Sequence, residues 1–335
     1  MTDTVKVYKK DGTPIAEIEA DVTRAWLLNG VGRASFILST RDPKCTIENL
    51  EFGNYVTVES DKLPVWGGVI DTPRQWGGCK VTVNCYSGEQ VLGYRRGLPG
   101  IKYTGTAGAI FEQIINLANK QGTTLAKVGD IFTGGIQRQE TVQPEPLLDT
   151  IIDISERSLN DFYLAPEFDE NNNLYFSANW YEVMGEYSDV ALIEGLNIQL
   201  RDPIYEEQGT IINDLLGKGQ SATWNSKSTY QVQNAASISR FGLRQASRQF
   251  QDVTSTGTLK KNTENAVSDE CNPKRTFNLS ALDEGALFYN LRLGNTFDLS
   301  MFSVGFNGIK TTVRLSGMQY TPSSGKVDLT VYEVD

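Results

Sequence analysis

Val65-Trp66-Gly67-Gly68-Val69-Ile70, followed by Cys79-Lys80-Val81-Thr82-Val83-Asn84-Cys85-Tyr86, is the stretch that decides the fold class. The second segment alternates strictly between apolar and polar residues, the period of a half-buried strand. The first is β-branched and aromatic, broken by a glycine pair. Its Trp-Gly-Gly triplet recurs at Trp76-Gly77-Gly78, beyond Asp71-Thr72-Pro73. This spacing predicts a turn at 71–73 with the triplets at matched positions of a hairpin. Glycine lets a strand bend and tryptophan covers the opened core. That explains the triplets better than an aromatic platform for a ligand.

Working outward, the first ~95 residues read as consecutive short strands separated by Gly, Pro and Asp. Val5 to Tyr8 runs into the Asp11-Gly12 turn, Ala34, Phe36 and Leu38 line one face of a strand, and Tyr55-Val56-Thr57-Val58 makes another. From Gly97 the period changes. Ala107, Ile110, Phe111, Ile114, Ile115 and Ala118 recur at helical spacing, with Thr106 placed as N-cap and Gly122 as the residue after the C-cap. A second helix begins with Pro146 in its first position and has Leu147, Leu148, Ile151, Ile152 and Leu159 on its apolar side. Phe162-Tyr163-Leu164 and Leu174-Tyr175-Phe176 then form a hairpin. Strand character returns at 196–205, continues through 210–241, ending at Ser237 to Gly242, and dominates from Leu291 to Val331. The polar stretch 251–272 reads as a loop or exposed helix. The expected fold is mainly β with an α+β insert: two β-barrel-like domains, at 1–96 and 193–335, flank an α+β domain at 97–192.

Composition narrows the chemistry. The chain has 335 residues, 39% of them hydrophobic, a net charge of −10 and no histidine. Without histidine there is no Ser-His-Asp or Cys-His triad and no histidine metal site, although a two-carboxylate glycosidase needs only Asp and Glu. An acidic chain without a Lys/Arg cluster lacks the basic face that stable nucleic-acid binding requires. Cys45, Cys79, Cys85 and Cys271 show no CxxC spacing. Cys79 and Cys85 point to one strand face, too far apart to bridge, and read as small buried hydrophobes. Free thiols without a signal peptide indicate synthesis in a reducing compartment. No apolar run is long enough to span a membrane as a helix.

The motifs with chemical flavour fail on spacing. Asp169-x-Asn171-x-Asn173 copies the start of a calcium loop but puts Leu174 and Trp180 where Gly and Glu belong, so it reads as a hairpin turn. Gly217-Lys218-Gly219-Gln220-Ser221 lacks the earlier glycine of a phosphate loop. Glu206-Glu207, Asp283-Glu284 and Asp149 with Asp153 read as surface charge. No catalytic, metal or cofactor-binding residues are assigned and no cofactor is expected.

Three segments together resemble the baseplate-hub (tail-tip) proteins of tailed bacteriophages, in particular a siphophage-type hub family. The first is Arg33-Ala34-Ser35-Phe36-Ile37-Leu38, Leu50-x-x-Gly53-x-x-Val56-x-Val58, Val65 to Ile70, and Val83-x-Cys85-Tyr86-Ser87-Gly88-Glu89. The second is Thr106 to Phe111 with Ile131-Phe132-Thr133-Gly134-Gly135. The third is Ala236 to Arg244, with the closing 313–320 and 325–331. Phe241 stands where the family usually has Tyr. The resemblance marks Trp66, Gly67, Gly68, Tyr86, Ser87, Gly88, Glu89, Phe241, Gly242 and Arg244 as structural-motif residues. It implies a non-enzymatic homotrimer whose two barrels, counted three times, make a pseudo-sixfold ring joining a sixfold tail tube to a threefold spike. The implied partners are further copies of the chain, the tail tube, distal-tail or wedge proteins, a separate spike protein and the tape-measure C-terminus. The implied place is the virion tail, after synthesis in the host bacterial cytoplasm, and no lytic module is expected after the last strand. A rival reading, a carbohydrate- or receptor-binding module of the same particle, rests on Trp180-Tyr181 and Trp224 being exposed.

Overall fold

The computed structural model describes residues 3–141, 144–202, 205–206, 211–220, 228–250, 253, 255–284, 286–305 and 307–334. The chain is mainly β. Seven strands come first: β1 (Asp3–Tyr8), β2 (Pro14–Ala20), β3 (Val22–Leu27), β4 (Arg33–Ser39), β5 (Tyr55–Glu59), β6 (Trp66–Gly77) and β7 (Lys80–Ser87). On β7 the alternation holds: Val81, Val83 and Cys85 are buried. Cys79 lies in the turn before β7 and is exposed, because the strand starts only at Lys80 and the alternation does not reach back to it. The two Trp-Gly-Gly triplets do not face each other across a turn. The first and Trp76-Gly77 of the second lie on β6, with Gly78 in the turn that follows, and the expected turn at 71–73 is a register shift between Asp71 and Gln75 in its pairing with β7.

The α+β elements follow as α1 (Gln90–Gly93), β8 (Lys102–Gly105), α2 (Ala107–Lys120), β9 (Ala126–Ile131), β10 (Arg138–Thr141), α3 (Leu147–Ser158), β11 (Asp161–Phe168) and β12 (Leu174–Tyr181). Thr106 caps α2 by accepting from Ala109 N, and Gly122 follows its end with a φ of +145°. Pro146 is the N-cap of α3, one place earlier than expected. Leu159 is not on the helix's apolar side: it ends α3 in a left-handed conformation with φ 57° and is exposed.

The remaining elements are β13 (Leu192–Ile193), β14 (Ile198–Leu200), β15 (Tyr205–Glu206), β16 (Asp214–Lys218), β17 (Thr229–Gln233), α4 (Ala235–Phe241), β18 (Gln245–Gln249), α5 (Thr256–Glu270), β19 (Arg275–Ala281), α6 (Leu287–Asn290), β20 (Thr296–Met301), β21 (Ile309–Thr321) and β22 (Lys326–Glu333). Leu291 and Leu293 are buried, but in the connection after α6 and not in a strand.

The strands of the two end regions form one 14-stranded sheet in the order β14-β19-β22-β21-β3-β4-β7-β6-β5-β1-β2, with β13, β15 and β20 off this path. Pairing of β21 with β3, from Gly317↔Leu27 to Tyr320↔Arg24, fuses the halves, and one apolar core holding Phe36, Trp66, Phe277 and Phe297 runs beneath both. Among the described residues neither half closes into a hydrogen-bonded barrel. At the fusion, the Arg24–Asp3 ion pair (2.6 Å) is fully buried, and Arg24 lies over the rings of Trp26 and Tyr320.

Residues 211–271 do not continue this sheet. They form a second insert, a three-stranded sheet in the order β17-β16-β18 with α5 on one face. The strand expected over 237–242 is the helix α4, because the Asn234 side chain accepts from Ser237 N and caps it. Within the stretch 251–272, expected as a loop or exposed helix, Thr256–Glu270 form α5, and it is covered on two sides.

Candidate functional site: a seat for the first insert

Trp66-Gly67-Gly68 and Tyr86-Ser87-Gly88-Glu89 come together, since β6 pairs with β7 as Gly68↔Ser87 and Val69↔Tyr86. They form the seat on which the β11–β12 hairpin lies. Pro166 and Phe176, a cross-strand pair on that hairpin, occupy the space that side chains at two of the glycines would need. A Cβ at Gly67 would stand 2.5 Å from Pro166, and one at Gly88 2.5 Å from the Phe176 ring. At Gly68 a Cβ would meet the Tyr86 carbonyl at 2.1 Å. Each glycine therefore answers a close approach and not a need for flexibility. Trp66 is buried beside them and donates from Nε1 to the Ala25 carbonyl at 3.0 Å. The hairpin tip is held as well, with Leu174 N donating to the Gly12 carbonyl at 2.9 Å.

Glu89 is the polar pin of the seat. It is buried, accepts from the Ser87 hydroxyl, and takes Leu164 N of β11 at 3.0 Å. The Ser87 hydroxyl accepts in turn from Gly32 N at 2.8 Å. Burial pushes the Glu89 carboxyl above its ordinary range, and the hydrogen bonds from Ser87 and Leu164 only partly oppose this.

A second node joins three regions. Asp161, at the start of β11, accepts from Asn29 Nδ2 and Met184 N, both at 2.8 Å, and from Arg314 of β21. Asn29 returns a bond by accepting from Phe162 N at 2.8 Å. Arg314 also donates to the Gly294 carbonyl and the Tyr332 hydroxyl. Burial works against the Arg314 charge, but the Asp161 carboxylate outweighs it and holds the guanidinium above its usual range. Sequence reading missed this node. Its only local signal is a charged residue inside the apolar pair Val313 and Leu315.

Phe241, Gly242 and Arg244 are not part of the seat. They lie in the second insert, where Asn213 Nδ2 donates to the Gly242 carbonyl and Asn213 Oδ1 accepts from Arg244 N at 2.7 Å. The other sequence candidates resolve into structural roles. Asp169 accepts from Asn171 N and Asn173 N at the hairpin turn, and the Asn173 bonds hold its carboxyl below the ordinary range. Gly217 lies on β16, where a Cβ would stand 2.1 Å from the Thr263 hydroxyl of α5. Asp153 is paired with Arg157, and Asp283 with Lys62. Trp180 is not an exposed platform. It is buried against Phe111 and Phe162 in the insert core. Trp224 and Glu207 lie outside the described residues. Among the described residues no group of three or more Cys, Asp or Glu could hold a metal ion, and no helix is long and apolar enough to cross a membrane.

No known sequence family matches the chain, and no curated protein matches it by sequence. Solved structures do match. A prophage tail protein gp18 from Listeria monocytogenes superposes with a TM-score of 0.62 over 98% of this chain and 94% of its own, at 13% identity. The 43 kDa tail protein of prophage MuSo2 from Shewanella oneidensis gives 0.64 over 99% and 98%, at 12% identity. This chain has a phage tail-protein fold. A tail protein from Neisseria meningitidis gives 0.61 over 99% and 97%, at 14% identity. The likeness thus extends through both inserts as well as the sheet. At such identity it establishes the fold and carries over no residue role.

Proposed function

We propose that this chain is a structural baseplate-hub (tail-tip) protein of a phage tail or phage-like injection machine, a homotrimer adapting a sixfold tail tube to a threefold spike. The observation that carries this reading is the end-to-end match to prophage tail proteins. The seat adds to it. Its buried side chains and glycines hold layers together, as a building block requires, and they expose no convergent nucleophile or base.

The sheet supplies a means of self-assembly. Among the described residues β2 pairs with no strand other than β1, so its other edge offers backbone groups to a neighbouring subunit. In the trimer each copy contributes two β-regions, 1–96 and 193–335, to a six-part ring, with the 97–192 region outside it. Tail tube, distal-tail or wedge proteins, a separate spike and the tape-measure C-terminus are the partners on this reading, and the virion tail is its place. The protein acts without catalysis. Light scattering on the purified chain, followed by electron microscopy with its tube and spike partners, tests the proposal. A trimer forming a threefold ring below the tube supports it, and a stable monomer that joins no tail assembly overturns it.

A further inference from the structure

We propose that the second insert, residues 211–271, is a hinged arm that parts from the first insert along a row of polar contacts. Three observations carry this. The described ends of the arm lie together. Its first and last segments leave side by side, with Ile212 N donating to the Glu270 carbonyl at 3.0 Å. The strands beyond, β15 and β19, are paired at Tyr205↔Thr276 and Glu206↔Arg275. The described segments that flank the arm's two ends thus lie together, the arrangement about which a rigid unit swings with the fewest broken contacts.

Helix α5 has two buried stripes of opposite character. Leu259, Thr263 and Val267 face the arm's own sheet, with Thr263 against Gly217. Thr258, Asn262 and Asn265 face the first insert, spaced as one helical face. Each makes a polar contact across the seam. The Thr258 hydroxyl donates to the Gln137 carbonyl at 3.3 Å, Arg138 Nη1 donates to Asn262 Oδ1 at 2.7 Å, and Asn265 Nδ2 donates to the Arg157 carbonyl at 3.0 Å. Water replaces such bonds when a seam opens, whereas an apolar seam has no such compensation.

The seam is also incompletely filled and incompletely paired. A cavity of about 870 Å³ lies beside it between α3, α5 and β18, lined by Asp153, Arg157, Arg248, Asp269 and other charged groups. A second, of about 300 Å³, lies beside Lys261 and Asn265. Buried at the contact, Asn262 Nδ2 has no hydrogen-bond partner. Docking thus leaves a polar group unsatisfied that the parted state would solvate.

Paired nitroxide labels on the full-length chain test the arm. In a Cys45→Ser, Cys79→Ser background, Glu112→Cys on α2 and Ser268→Cys on α5 carry the labels, with labelled chain diluted into unlabelled chain. Two distance populations are expected. Asn262→Ala should raise the longer one roughly fivefold, the ratio that about 1 kcal/mol of lost bonding converts to. Thr258→Val reads the opposite end of the row should Asn262→Ala not fold. A single narrow distribution in the parent and the variant overturns the arm. Two populations that neither variant moves overturn the polar row as its latch.

Discussion

The two inserts are carried by the same sheet, yet they are held by opposite means. The first rests on the seat through apolar surface. Phe176 and Pro166 lie over Gly67 and Gly88, the Tyr55 and Phe176 rings approach to 5.7 Å, and a core from Phe111 to Trp180 lies behind them. Among its described residues the second has two small apolar clusters, around Leu215 with Val267 and Phe250 with Leu259, and it meets the first insert through side-chain amides, a hydroxyl, a guanidinium and backbone carbonyls. Apolar contact surface of the first kind is lost outright when it separates. Polar contact of the second kind is largely exchanged for water. One insert thus belongs to the rigid frame and the other is attached to it.

The most severe way to break this contrast is to remove the aromatic anchor. Phe176→Ala should cost about 3–5 kcal/mol, as truncations of fully buried aromatics do, read as a lowered midpoint of denaturant unfolding. Next comes the three-region node. Asp161→Ala leaves Arg314 buried beside no carboxylate, which should cost roughly 3 kcal/mol in the same measurement. A smaller effect follows from filling the seat. Gly88→Ala pushes a methyl group into the Phe176 ring and should cost about 1–3 kcal/mol. Pairing it with a smaller residue at 176 should recover part of that loss, and a cycle showing no coupling would refute the seat geometry. Thr258→Val, at the polar seam, should change global stability by less than about 1 kcal/mol. If it matched Phe176→Ala, the two inserts would not differ as described.

The contrast also explains what was legible in the sequence. β7 and α2 could be read because each buries one apolar face, Val81, Val83 and Cys85 in one and Ile110, Phe111 and Ile114 in the other. The burial of α5 could not, because one of its buried stripes is Thr258, Asn262 and Asn265, residues that look solvated until a second layer covers them. Ser237 to Gly242 reads as a strand end, whereas the Asn234 side chain that caps a helix there lies before it. Seven of the ten motif residues lie in one place. Trp66 to Gly68 and Tyr86 to Glu89 meet because their strands pair, whereas Phe241 to Arg244 belong to the other insert. Asp161 and Arg314 are 153 residues apart, so nothing local joins them, and Trp180 hides behind the polar Asn179 that precedes it.

The smallest expected effect concerns Glu89, and its sign sharpens the account of the seat. Burial raises its carboxyl above the ordinary value, so the folded chain holds this proton at a pH where the unfolded chain has released it. Stability from this group is therefore greatest below the unfolded carboxyl's pKa, about 4.3, and falls as pH rises from there towards the raised folded value. Glu89→Gln removes the titration while keeping an oxygen for Leu164 N and an amide for the Ser87 hydroxyl. Urea unfolding across this range should show wild type losing stability relative to the variant as pH rises, with the two converging in acid. A wild-type advantage that grows with pH would mean the folded chain favours the carboxylate, and the pin would then be a charged acceptor and not a buried acid.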